Sequence, residues 1–126
     1  VAKAFSAGSH GTTFGGHPVC CSAALAEIGE LLERNLAENA KKMGKYFMEK
    51  LVGIPHVKEV RGQGLLVGVE FDGNVNAADV KHECLERKLL VTAIGSDIIR
   101  MVPPLILTET DCDKAVEIIK DAVEAL

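Results

Sequence analysis

A long run of helical periodicity is the pattern that most restricts how this chain can fold. Between residues 18 and 53, apolar side chains recur at steps of three and four, the spacing of one face of an α-helix. This stripe consists of Leu25, Ile28, Leu32, Leu36, Ala40, Met43, Phe47 and Leu51. A single helix of this length is unusual in a globular domain, and Asn35 and Asn39 favour a break near residues 34–36. We therefore predict two helices, with Pro18 starting the first and residues 53–55 ending the second.

Shorter elements with a strand period follow the helical run. Residues 57–61 and 65–71 are predicted strands separated by glycines, and in the second strand Val67, Val69 and Phe71 share one face. Asn76 is a candidate N-cap for a helix that runs to about Lys88. The side chains that we expect this helix to bury are Val80, Cys84 and Leu85.

The C-terminal third predicts two more strands and a last helix. The strands are expected at residues 89–92 and 98–102, with a turn at Gly95 between them. Thr108 and Asp111 have the spacing that caps a helix. Its expected apolar face is formed by Ala115, Val116, Ile119, Ala122, Val123 and Leu126. The order of elements predicts an α+β fold, a mostly antiparallel sheet with helices on one face, preceded by a long helical segment.

Composition excludes several classes of function. The 126 residues carry a net charge of −4 and only 4% aromatic side chains, which disfavours a nucleic-acid surface. No run is long and apolar enough for a membrane span, and no apolar core follows Lys3 as in a secretion signal. The cysteines form no C-x-x-C pair, so we expect free thiols in a reducing cytoplasm and no metal site.

A loop rich in glycine and threonine occupies residues 8–17 and leads directly into Pro18. Glycines bring backbone amides close to a ligand, and hydroxyls near a helix start suit an anion such as phosphate. Thr12 and Thr13 are the candidate ligands, and the alternative is a plain glycine-rich connector. The spacing is not that of a nucleotide P-loop, and His10 and His17 are expected to have no catalytic role.

Arg100 lies in an apolar stretch, between Ile99 and Met101, and needs a charged partner. A guanidinium suits a carboxylate because its planar fork donates two parallel hydrogen bonds. That carboxylate can belong to a ligand or to a structural salt bridge within the domain, and the residues leave both open. For Arg61 the same two interpretations hold, and we favour the structural one.

Four segments together resemble the class III pyridoxal-phosphate aminotransferases, and the acetylornithine aminotransferase branch in particular. They are residues 10–18 (HGTTFGGHP), 38–44 (ENAKKMG), 60–68 (VRGQGLLVG) and 99–105 (IRMVPPL). The resemblance spans essentially the whole chain in the right order. It departs from the family at His17, where the family usually has asparagine.

The resemblance implies the small C-terminal domain of a fold-type I enzyme that works as a homodimer with pyridoxal 5'-phosphate. It implies that Thr13 binds the cofactor phosphate of the neighbouring subunit, that Thr12 lies near the substrate, and that Arg100 binds the substrate α-carboxylate. The corresponding domains are an active-site loop at residues 1–17, a linking helical segment at 18–53 and a small α+β domain at 54–126.

In this family, the lysine that forms the Schiff base lies upstream of the loop, before the first residue of this chain. The resemblance thus assigns no catalytic residue to the chain, which we expect to be inactive alone. The implied parent is a cytoplasmic enzyme of arginine biosynthesis that moves an amino group between N-acetylornithine, or a related ω-amino acid, and 2-oxoglutarate. The alternatives are an ornithine, succinylornithine or 4-aminobutyrate aminotransferase, or a non-catalytic binding module derived from this domain.

Overall fold

The computed structural model describes residues 2–126, which divide into two compact units between Arg34 and Asn35. Val1, with which the predicted loop domain begins, lies outside the described residues. The first unit holds a short 3-10 turn (Ala2–Ala4), the glycine-rich loop and helix α1 (Pro18–Glu33). The predicted helix start at Pro18 and the predicted break are both confirmed, since Asn35 adopts a left-handed conformation with φ 48°.

The second unit contains three helices and a four-stranded antiparallel sheet. Its elements are α2 (Leu36–Leu51), β1 (Val57–Gln63), β2 (Leu66–Phe71), α3 (Ala77–Glu86), β3 (Thr92–Ile94), β4 (Ile98–Met101) and α4 (Glu109–Glu124). The strand order is β1-β2-β4-β3, and every neighbouring pair is antiparallel. The predicted α+β fold with a mostly antiparallel sheet is therefore confirmed.

One face of the sheet is buried under the helices of this unit. The alternation along β2 places Val67, Val69 and Phe71 on that face, as predicted. The buried residues that pack with them include Phe47, Leu51, Val80, Cys84, Ile99, Cys112 and Ile119. All three helices contribute to this core, so the other face of the sheet is left open and carries the polar residues of the strands.

A pair of glycines sets how closely α2 approaches the sheet. Gly44 is buried in the middle of α2, and a Cβ added there would overlap the carbonyl group of Gly64. Gly64 lies in the turn between β1 and β2 and has a left-handed φ of 55°. The helix and the turn are thus in backbone contact, which only a residue without a side chain permits.

The predicted caps of the last two helices are present. The Asn76 side chain accepts a 2.8 Å hydrogen bond from the amide of Ala78 at the start of α3. At α4, the Asp111 amide donates to the Thr108 hydroxyl and the Thr108 amide donates to the Asp111 carboxylate, which is a complete capping box.

Three predictions of detail are wrong. Leu85 is exposed, because α3 buries Ala77, Val80 and Cys84 and Leu85 lies about 100° further round the helix. The third strand begins at Thr92 and not at residue 89, because Lys88 turns left-handed and the Leu89 amide donates to the Cys84 carbonyl group at the end of α3. Leu126 is exposed, because α4 ends at Glu124.

Candidate functional site

Exposed residues and tight turns make up the loop that precedes α1. Gly8 and Gly16 have φ angles of 81° and 75°, which favour glycine. The Ser9 amide and hydroxyl both donate to the Ser6 carbonyl oxygen, at 3.0 and 2.7 Å, and a turn closes from Phe14 to His17. All of the side chains from Lys3 to His17 are exposed. The loop is held by its own backbone and presents its side chains to solvent.

The two threonines of this loop keep their hydroxyl groups free. Within residues 2–126, the side chains of Thr12 and Thr13 form no hydrogen bond with the protein. A side chain at Gly15 would overlap the Thr12 methyl group, so Gly15 leaves room beside Thr12. His17 is the N-cap of α1 but makes no side-chain cap, so the first amides of the helix have no side-chain acceptor. Free hydroxyls in a loop that leads into a helix start are available to donate to an anion such as a phosphate.

Arg100 lies on the open face of the sheet in the second unit. Strand pairing places Arg61 of β1 opposite Gly68 of β2, Gly68 opposite Arg100 of β4, and Arg100 opposite Thr92 of β3. Residues paired in this way share one face of the sheet. Two arginines therefore stand on either side of a glycine in a single row across the strands.

Of these two arginines, Arg61 is neutralised by carboxylates of the sheet. Its guanidinium contacts Glu70 at 2.6 Å and Glu59 at 3.0 Å. Glu70 also contacts the ammonium group of Lys58 at 2.6 Å, and only 16% of its side chain is exposed. The hydrogen bonds from Lys58 and Arg61 hold the pKa of the Glu70 carboxyl below its ordinary value. The structural interpretation of Arg61 is confirmed.

In contrast, Arg100 has no such partner. Its side chain is exposed, and no salt bridge joins it to any carboxylate in the part of the chain that the structure describes. The alternative of a structural salt bridge at Arg100 is therefore not observed among these residues. The guanidinium keeps all of its donors available for a ligand.

An open cleft of about 400 Å³ lies on this face of the sheet. We call it the open-face cleft, and its lining consists of Arg61, Gly62, Gln63, Leu66, Val67, Gly68, Ile94, Ile98 and Arg100. Gln63 and Gly68 line this cleft but were not among the site residues predicted from the sequence. The alternation along β1 indicated that Arg61 and Gln63 share a face, but no local signal revealed which residue of β2 lies opposite.

A second cleft, of about 540 Å³, has an apolar lining. Its exposed walls include Leu90, Val102 and Ile106, and its one charged residue, Asp111, is already engaged in the capping box of α4. This cleft therefore offers no free polar group that would orient a charged ligand.

Several histidine and cysteine side chains are engaged with a neighbour or buried. His10 stacks on Phe5 with ring centroids 6.1 Å apart, and His56 lies 3.2 Å from the Asp72 carboxylate. Burial raises the pKa of the Cys84 thiol to about 11, so this thiol stays protonated near neutral pH. No group of three His, Cys, Asp or Glu side chains within residues 2–126 is placed to hold a metal ion. Over the same residues, no helix is both long and apolar enough to cross a bilayer.

The three predicted site residues are thus distributed over both units. Thr12 and Thr13 belong to the first unit and Arg100 belongs to the second. Each is exposed and free of protein hydrogen-bond or ion-pair partners among the described residues. A phosphate-sized and a carboxylate-sized anion are the ligands that such groups suit.

Comparison with known proteins decides the family. The model of the family described as "Aminotransferase class-III" matches residues 1–123. The chain belongs to this family. Class-III aminotransferases are dependent on pyridoxal 5'-phosphate and are generally dimeric.

Individual class-III aminotransferases resemble the chain over its whole length. A mitochondrial acetylornithine aminotransferase of Alnus glutinosa is 44% identical over 100% of this chain and 29% of its own length. The solved acetylornithine aminotransferase of Elizabethkingia anophelis is 29% identical with a TM-score of 0.86, covering 100% of this chain and 33% of that one. The solved ornithine aminotransferase of Plasmodium yoelii is 33% identical with a TM-score of 0.86, covering 99% and 34%. The chain thus spans about a third of the length of these aminotransferases.

The charge cluster beside the open-face cleft predicts a pH-dependent stability. The pKa of Glu70 is lower in the folded protein than its ordinary value of 4.5. A carboxyl of this kind stabilises the fold above its ordinary pKa, and this stabilisation is lost as the pH falls through the lower, folded pKa. We expect Glu70→Gln to lower the free energy of unfolding at pH 7, and the difference from the wild type to shrink below pH 4.5.

Urea unfolding at a series of pH values measures this effect. Glu117→Gln is the matched control, because Glu117 is an exposed carboxylate without an ion pair in the described chain. A constant difference between wild type and Glu70→Gln from pH 7 to pH 3 would contradict the assignment.

Proposed function

We propose that the chain is a portion of an aminotransferase that transfers an amino group between N-acetylornithine, or a related ω-amino acid, and 2-oxoglutarate, as a step of arginine biosynthesis. The observation that carries this proposal is the free guanidinium of Arg100 in the open-face cleft of a class-III aminotransferase chain. A guanidinium fork binds a carboxylate with two parallel hydrogen bonds, and both amino acids and 2-oxo acids have an α-carboxylate to offer. In this proposal Arg100 binds and orients the α-carboxylate.

In this proposal, the loop before α1 binds an anion of its own, the phosphate of the cofactor. Thr13 binds the phosphate of pyridoxal 5'-phosphate through its free hydroxyl, and Thr12 lies near the substrate. When bound, the cofactor supplies the electron sink that amino transfer needs. In the homodimer that we propose, this loop completes the cofactor site of the neighbouring subunit.

The lysines of this chain do not suit the covalent role in amino transfer. Every lysine side chain is exposed, and none lines the open-face cleft. A lysine that holds the cofactor is desolvated or placed beside its reaction partner. We therefore propose that none of them has this role, and that the 126-residue chain does not catalyse amino transfer alone.

A second candidate substrate is ornithine. Relatives that carry this name include the solved protein of Plasmodium yoelii and an ornithine aminotransferase of Macrococcus caseolyticus, which is 40% identical. The two substrates differ at the acyl group on the α-nitrogen. Arg100, which we propose binds the α-carboxylate, does not by itself distinguish them.

An amino-transfer assay of the protein made from its own gene tests the proposal. With 2-oxoglutarate as acceptor, glutamate formation from N-acetylornithine is expected to have a higher kcat/KM than from ornithine, succinylornithine or 4-aminobutyrate. A higher value for ornithine would favour the second candidate. Binding of 2-oxoglutarate without any glutamate formation would favour a non-catalytic binding module.

Replacing Thr13 by Val tests the cofactor role of the loop. The change removes one hydroxyl and keeps the shape of the side chain. A hydrogen bond to a charged group contributes about 1.5–3 kcal/mol, so we expect the Kd for pyridoxal 5'-phosphate to rise by about tenfold to a hundredfold. Absorbance titration of the apoprotein measures this Kd. The same change at Thr110, an exposed residue of α4, is the control, and equal effects at both positions would contradict the role of Thr13.

A further inference from the structure

We propose that Gly68 determines which carboxylates the open-face cleft holds: because residue 68 has no side chain, a ligand can lie above it and reach Arg100 with its carboxylate. This inference rests on the proposed function, since it takes Arg100 as the group that binds the carboxylate. It adds a specificity-determining residue on a different strand, which itself donates nothing to the ligand.

The register of the sheet places Gly68 in the middle of the site. Gly68 belongs to β2, the strand between β1 and β4, and it pairs with Arg61 on one side and Arg100 on the other. Its missing side chain would project from the open face, as those of its two partners do. The space between the two guanidinium-bearing side chains therefore exists because residue 68 is a glycine.

Nothing within the second unit requires a glycine at this position. A Cβ added to Gly68 would meet only the carbonyl oxygen of Arg61, at 3.8 Å, which is an ordinary van der Waals distance. The φ angle of Gly68 is not in the left-handed region. Gly62 and Gly44 differ in this respect, because a Cβ at either would overlap a backbone carbonyl group.

A glycine in the centre of a strand is unfavourable for stability. It loses more conformational freedom on folding than any other residue and has no side chain to pack. Since neither backbone conformation nor packing explains Gly68, the open space above it is the feature that its lack of a side chain provides. Strand glycines mark positions where a ligand or another backbone approaches closely.

The lining of the cleft indicates the chemistry of the ligand. Arg100 is its one cation without an ion-pair partner among the described residues, because Arg61 is engaged by Glu59 and Glu70. The apolar side chains of the lining that share the open face with Arg100 are those of Leu66, Ile94 and Ile98, whereas that of Val67 points into the core. One free charge beside apolar side chains suits one carboxylate of a ligand together with the aliphatic part of the chain that follows it.

The test combines Gly68→Ala and Gly68→Val with calorimetric titration of 2-oxoglutarate and thermal unfolding of the protein made from its own gene. Filling the space with a valine side chain is expected to raise the Kd for 2-oxoglutarate by about tenfold to a hundredfold, with alanine intermediate. Because the strand loses a glycine, the unfolding midpoint of Gly68→Ala is expected to rise by about 1–4 °C. We therefore expect Gly68→Ala to bind 2-oxoglutarate more weakly than the wild type while being at least as stable. If the glycine were needed only for the fold, its replacement would lower the stability instead.

Thr92→Val is the control, because Thr92 lies on the same face beside Arg100 but does not line the cleft. Unchanged binding by Gly68→Val would overturn the inference, and so would unfolding of both Gly68 variants, since the fold would then require the glycine. Failure of the proposed function is a separate result. In that case the wild type does not bind 2-oxoglutarate, or Arg100→Ala binds it as well as the wild type does.

Discussion

Replacing Arg100 by Ala is expected to raise the Kd for 2-oxoglutarate by about a hundredfold or more, because two charge-assisted hydrogen bonds of about 1.5–3 kcal/mol each are lost. Arg100→Lys keeps the charge but not the planar fork, so its Kd is expected to lie between those of the wild type and the alanine variant. In kinetic measurements, Arg100→Ala should raise KM for 2-oxoglutarate and lower kcat/KM for both the amino donor and 2-oxoglutarate.

The same substitution is expected to have little effect on folding. Arg100 is exposed and has no salt bridge in the part of the chain described, so its removal should change the free energy of unfolding by no more than about 0.5 kcal/mol. Calorimetric titration and urea unfolding of the same preparations separate the two effects. Arg87→Ala is the control for the binding measurement, because the ion-pair partner of Arg87 among the described residues is Glu83 and Arg87 does not line the open-face cleft. Wild-type affinity in the Arg100→Ala protein would remove Arg100 from the site.

Replacing Gly44 by Ala is expected to destabilise the fold of the second unit strongly. The new Cβ would overlap the Gly64 carbonyl group, and both groups belong to backbone that cannot rotate away. We expect the free energy of unfolding to fall by about 3 kcal/mol or more, at the upper end of the usual cost of overpacking. Urea unfolding followed by circular dichroism measures the change.

Gly29→Ala is the control for this substitution. Gly29 also lies in the interior of a helix, but a Cβ there would meet nothing within 4 Å. Alanine forms helices better than glycine by about 1 kcal/mol, so this variant should be as stable as the wild type or slightly more stable. A Gly44→Ala protein with the stability of the Gly29→Ala protein would show that α2 does not approach the turn as closely as the structure has it.

Local signals in the sequence predicted most of the fold. The cap at Asn76, the capping box of Thr108 and Asp111, and the helix start at Pro18 are encoded within four residues of where they act, so they could be read directly. The alternation along β2 likewise predicted its buried face. Leu85 was predicted wrongly because an apolar residue next to the buried face of a helix can still point to solvent. The start of β3 was predicted wrongly because a run of apolar residues does not show where the chain turns after α3.

The composition of the candidate site was harder to predict. Arg61 and Arg100 were both isolated as arginines in need of a carboxylate, but only the pairing of β1 with β2 brings Glu70 to Arg61. The strand order β1-β2-β4-β3 then places Gly68 between them, and strand order is not a local property of the sequence. The roles of Thr12, Thr13 and Arg100 in binding ligands stay predictions, as do the three predicted domain boundaries.

The position of β4 between β2 and β3 has a consequence for how a ligand is captured. The backbone of β4 is hydrogen-bonded to β2 on one side and to β3 on the other. The Cα atom of Arg100 is therefore held by the sheet and does not belong to a mobile loop. When a carboxylate binds to Arg100, the conformational entropy that is lost is therefore that of the arginine side chain and of the ligand. If Arg100 binds a carboxylate as proposed, the ligand does not have to order any segment of β4 in order to bind.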